Sequence, residues 1–114
     1  MPAGYQELFL EQGTDFTTSI TLDDVYGVPY NLTGYAVKSQ IRKSYYSTNT
    51  TAEFTSRISS PEGGIIELSL SSPVTANIAP GRYVYDVLIK DNINNSVTRV
   101  LEGIINVNPQ VTRF

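Results

Sequence analysis

The sequence contains no cysteine and no histidine. Without cysteine there is no disulfide, no thiolate metal site and no thiol nucleophile. Without histidine the chain lacks the commonest general base, the commonest zinc ligand and the side chain that titrates near neutrality. Tryptophan is absent too. No run approaches the ~20 apolar residues of a membrane-spanning helix. Residues 1–7 show no positive segment followed by an apolar one, so no secretion signal is visible there. The net charge is −3 and the eight Lys and Arg residues are scattered along the chain. A nucleic-acid partner normally needs them clustered, so none is expected. The sequons at Asn31, Asn49 and Asn94 are read as by-products of a Thr/Ser/Asn-rich composition.

What is present favours strands. Eight Tyr and four Phe accompany abundant Thr, Ser, Val and Ile. A chain of 114 residues is the size of one domain. It can bury roughly two-thirds of its unfolded surface without covalent staples.

Turn signals recur about every ten residues, the spacing of a sandwich or barrel. Glu7 to Glu11 reads as a first strand. Phe16, Thr18, Ile20 and Leu22 then alternate with polar neighbours, which predicts one inward and one outward face. A turn at Asp23 to Gly27 follows, and Pro29 suits an edge. Tyr35, Val37, Ser39 and Ile41 form the next inward set, then Ala52, Phe54, Ser56 and Ile58, then Ile66, Leu68 and Leu70. Ser72 and Pro73 predict one helical turn, with Ser72 as N-cap and Pro73 at the first helical position. Tyr83, Tyr85, Val87 and Ile89 point inward from the following strand. A last long strand from Ser96 to Val107 is expected to bend at Gly103. The economical reading is all-β: two antiparallel sheets, about seven strands, one domain over residues 1–114 with short tails at both ends. A small barrel is the alternative.

Several segments together resemble a known family. They are Glu11-Gln12-Gly13-Thr14-Asp15-Phe16, Val28 to Tyr35, Gln40-Ile41-Arg42, Pro80 to Val87, Arg99 to Gly103, and Val107-Asn108-Pro109. In this order they resemble small immunoglobulin-like structural proteins of tailed bacteriophages, including the N-terminal domain of baseplate upper proteins. The polar loops are similar in style to those of cyanophage virion proteins. The resemblance implies an immunoglobulin-like antiparallel β-sandwich in a virion, assembled in the host cytoplasm in multiple copies. Its implied partners are other virion proteins of capsid or tail, without nucleic acid or membrane. It supplies no catalytic residue and no cofactor. A baseplate protein would continue into a fibre or receptor-binding domain. This sequence stops soon after Pro109, which suits a stand-alone decoration or adaptor subunit over direct host attachment; the leading reading is a capsid decoration or head-associated subunit, and the alternative is a tail, baseplate or fibre-adaptor protein.

The chemistry candidates are few. Asp15, Asp23, Asp24, Asp86 and Asp91 lack the D-x-D-x-D-G spacing of a calcium loop, and Asp in turns commonly serves its own backbone. No metal site is expected. Asp86 lies between Val84 and Leu88 on the outward register of its strand. That predicts either a partner-facing strip or an ion pair with Arg82, Arg99 or Lys38. Tyr83 or Tyr85 is a candidate for a tyrosine corner. Tyr45 and Tyr46, in a Ser/Thr/Asn loop, suit contact with a partner, or with a glycan if they form a platform. The alternative for them is a mobile tip. The tails add Tyr5, Arg113 and Phe114 as contact candidates, and docking through the tails or by strand addition at a sheet edge is expected. No reading leads to an enzyme.

Overall fold

The computed structural model of the chain describes residues 4–23 and 26–113. Met1–Ala3 and Phe114 of the expected tails, and Asp24 and Val25 of the expected turn, lie outside the described residues. The elements in order are β1 (Gly4–Tyr5), β2 (Leu8–Glu11), β3 (Phe16–Thr21), β4 (Tyr35–Arg42), β5 (Ala52–Glu53), β6 (Thr55–Ser60), β7 (Ile65–Leu70), α1 (Ser72–Ala76), β8 (Gly81–Asp91) and β9 (Val97–Asn108).

They form two sheets. In the larger, β1 and β2 lie along one side of β9, followed by β8, β4 and β5; the smaller runs β3, β7, β6. Neighbours are antiparallel except β1 and β2, which run parallel to β9. The expected strand count is met by joining pieces. β1 and β2 are one line interrupted at Gln6–Glu7, and β5 and β6 are one line that changes sheet at Phe54.

Period-two patterning explains the layers. Tyr83, Tyr85, Val87 and Ile89 of β8 are buried, while Val84, Asp86 and Leu88 between them are half-buried on the outer face. Ile66, Leu68 and Leu70 of β7 answer them from the other sheet. Burying one such side chain stabilises by roughly 1.5–3 kcal/mol, so a core built from both sheets outweighs any single surface contact. The result is an immunoglobulin-like β-sandwich. Among the described residues, Ser39 and Thr75 are the buried polar ones, and their hydroxyls lie 2.6 Å and 2.8 Å from the carbonyls of Asp86 and Thr14. Each is satisfied by main chain, as burial of a hydroxyl requires.

Four details depart from the sequence reading or sharpen it. The N-cap of α1 is Ser71, not Ser72, and its hydroxyl makes no cap bond. The Ser72 amide instead donates to the Asp15 carboxylate at 2.7 Å, so the cap comes from the loop before β3. The irregularity in β9 is at Val100, not Gly103: Val87 faces Leu101 while Leu88 faces Arg99, leaving Val100 as an inserted residue. Residues 4–6 are not a loose tail. Gly4 and Tyr5 pair with Leu101 and Glu102, and the Gln6 carbonyl accepts from the Tyr85 hydroxyl at 2.7 Å. Of the two tyrosines, Tyr83 makes the corner, donating to the Ala79 carbonyl four residues back at 2.6 Å.

Candidate functional site

The outer face of the larger sheet carries most of the residues singled out from the sequence. Its side chains stand in cross-strand rows fixed by register. Arg42, Val84 and Ile104 form one row; Gln40, Asp86, Glu102 and Tyr5 form the next; Lys38, Leu88 and Arg99 form a third. Residues directly opposite on one face are close enough to interact.

Asp86 is tied into this face. Arg99 Nε lies 3.4 Å from its carboxylate, and Arg99 Nη1 lies 2.9 Å from Glu102. One guanidinium therefore bridges two carboxylates that would otherwise repel across neighbouring strands. This is the ion-pair reading of Asp86, with Arg99 as the partner among the three cations considered. The groups are partly exposed, so the bridge fixes geometry more than it stabilises.

Tyr45, Val84 and Asp86 meet around a shallow recess of about 140 Å³, completed by Gln40, Arg42 and Arg99. Val84 supplies the apolar part and Tyr45 an aromatic side chain. Arg42 is held over it by bonds to the Ser47 carbonyl and the Gln40 side chain at 3.0 and 2.9 Å. The other candidates do not join. Tyr46 is 95% exposed and Tyr5 63% exposed, the latter on the far side of β9. Leu88 lines a separate, wider recess of about 520 Å³ with Lys38, Lys90 and Val97. Arg113 is exposed beyond the end of β9, and Phe114 lies outside the described residues.

Sequence reasoning missed Glu102 and Ile104 as members of this face. The signal was present. Val100 and Leu101 are adjacent and both buried, which strict alternation forbids and an inserted residue permits. After that slip, Glu102 and Ile104 point outward rather than inward.

Elsewhere acids serve the backbone. The Asp91 carboxylate accepts from the Ile93 amide at 2.9 Å in the β8–β9 hairpin, and Asp15 serves Ser72 as described. Among the described residues no three carboxylates gather closely enough to hold a metal ion.

No protein-family model matches the chain, and no curated protein matches it. Among solved structures it is similar to the crystal structure of the Lin-41 filamin domain, at 16% identity and a TM-score of 0.45, over 88% of this chain and 82% of that one.

Proposed function

We propose that this chain is a non-enzymatic structural component of a tailed-phage virion, a capsid decoration or head-associated subunit that works by docking on other virion proteins. The phage assignment rests on the ordered segments from Glu11 to Pro109. The docking mode rests on one observation, the condition of the sheet edges.

An open edge invites pairing with another chain, and proteins usually guard it with charge, a bulge or a break. Three of the four edges here are guarded. β6 carries Arg57 and a register slip between Ile58 and Ser60. On the β4–β5 side, β5 is two residues long, and Lys38 on the part of β4 it leaves uncovered pairs with Glu53. The β1–β2 line is interrupted and bears Glu7 and Glu11. β3 differs. Phe16–Thr21 contains no charge and no proline, keeps an unbroken register with β7, and has no strand on its other side among the described residues. It is a template for an added strand.

Thr17 and Ser19 point outward from β3 and are exposed, so lysine there guards the edge without touching the core. Thr17→Lys with Ser19→Lys is expected to shift stability by no more than about 0.5 kcal/mol. It should cut incorporation into purified particles at least tenfold. Undiminished incorporation would sink the edge-docking mechanism. Copy number in those particles separates the head reading from a tail, baseplate or fibre-adaptor role.

A second reading, a carbohydrate-binding module, is favoured by the recess that joins Tyr45 to Gln40, Asp86 and Arg99. Glycan-array binding that disappears in Tyr45→Ala would support it. Silence of the wild-type chain across the array would remove it.

A further inference from the structure

β3 ends at a slot between the two sheets. Leu22, the residue after it, continues the ladder. Its amide donates to the Gly64 carbonyl at 2.8 Å, and its carbonyl accepts from the Tyr30 amide at 2.9 Å. Leu22 and Tyr30 form one wall of the slot. Ile89 of β8 with Thr98 and Val100 of β9 form the other, around a space of about 180 Å³. Among the described residues no charged side chain lines it.

The slot lies between two open edges. β9 has β8 on one side. Its other side is unpaired at Val97–Val100 among the described residues, because the pairing with β1 begins at Leu101. β3 has β7 as its neighbour and is open on the far side. Hydrogen-bonded and non-hydrogen-bonded pairs alternate along an antiparallel ladder. Leu22 bonds toward β7, so Thr17, Ser19 and Thr21 turn their amides and carbonyls to the open side. The inward row of β3 is unfinished at this edge as well: Phe16 and Thr18 are half-buried, while Ile20 is buried.

A strand that pairs with those open groups sends alternate side chains into the same interior, whichever way it runs. Its inward residue level with Ile20 and Leu22 faces the slot. A charged group there would lose its water with no opposite charge to replace it. A cavity of about 150 Å³ lined by aliphatic and aromatic side chains holds one benzene, so this slot has room for one branched aliphatic or phenyl group. We infer that the partner's added strand seats one uncharged, apolar side chain, the size of leucine or phenylalanine, in the slot beside Leu22. This rests on docking at the β3 edge and adds what the partner must carry. Main-chain pairing along β3 accepts many extended segments, and the slot selects among them.

Thr98→Phe is the test. Residue 98 faces inward opposite Ile89, so the new ring fills the slot and leaves the amides and carbonyls of β3 untouched. Incorporation into purified particles should fall by about tenfold or more. Full incorporation of Thr98→Phe, beside a loss in the Thr17→Lys, Ser19→Lys variant, would remove the apolar anchor and leave edge docking standing. Full incorporation of both would remove both. Benzene probes the slot on the purified chain with no partner present. Millimolar benzene should raise the melting midpoint of the wild type by about 2 °C or more and leave Thr98→Phe unmoved. A wild-type chain that ignores benzene overturns the inference, whether or not Thr98→Phe folds. So does a rise that appears only once residues 1–3 are deleted, which would make the chain's own N-terminal segment the occupant.

Discussion

Gly103→Ala is expected to lower stability by about 3 kcal/mol, a large part of the 5–15 kcal/mol typical of a domain. The reason is space, not backbone freedom. A β-carbon added at Gly103 would fall on the Gln6 carbonyl oxygen and lie 3.1 Å from Cε1 of Tyr85. The carbonyl cannot simply yield. Its oxygen accepts from the Tyr85 hydroxyl at 2.7 Å, and the Gln6 amide donates to the Glu102 carbonyl at 3.0 Å. Overpacking costs about 1–3 kcal/mol, and each disturbed hydrogen bond adds about 1 kcal/mol. Gly27→Ala is the control. Its φ of +77° also resists a side chain, but nothing lies within 4 Å of the new atom. It should cost about 1–2 kcal/mol, the general penalty of that backbone region. Urea denaturation of the two variants checks the difference. Equal losses would mean that the β1–β2 junction is not pinned by Gln6.

That junction also shows what pattern reading cannot reach. Alternation found β3, β4, β7 and β8 because each keeps an apolar row on one face for six residues or more. β1 has two residues, both exposed, and is held by main-chain pairing to β9. Main-chain pairing leaves no trace in side-chain chemistry. The line from Ala52 to Ser60 read as one strand because its inward set continues through Phe54. Periodicity states which way a side chain points but not which sheet its strand joins. The switch at Phe54 is made by its amide donating to the Ser39 carbonyl at 3.0 Å, a contact between residues far apart in sequence.

The surface follows the same rule. Val84, Asp86 and Leu88 were legible as an outward row because they interleave with Tyr83, Tyr85, Val87 and Ile89. Glu102 and Ile104, their neighbours on β9 beyond the insertion at Val100, were not, because that insertion moves the register by one.

Tyr85 carries the second large effect. Tyr85→Ala is expected to cost about 3–5 kcal/mol, the usual cost of removing a buried aromatic. Its ring is buried and meets Phe54 edge-on with centroids 6.3 Å apart. Tyr85→Phe keeps the ring and removes the donor from the Gln6 carbonyl, which should cost about 1–2 kcal/mol. The two variants thus divide packing from hydrogen bonding at one position. Alkaline pH tests the hydroxyl independently. Burial pushes the Tyr85 hydroxyl from 10.0 up to about 12. An acid whose ionisation is hindered in the folded state contributes its full stability below the unfolded value. That contribution drains as the pH climbs from 10 through 12. The Tyr30 hydroxyl raises Tyr35 as well, by hydrogen bonding, so total stability falls for more than one reason and the informative quantity is the difference between wild type and Tyr85→Phe. That difference should favour the wild type at pH 8 and shrink steadily above pH 10. Parallel stability curves through pH 12 would show that the Tyr85 hydroxyl ionises as freely in the folded chain as in the unfolded one, and the anchoring of the first strand by this bond would have to be given up.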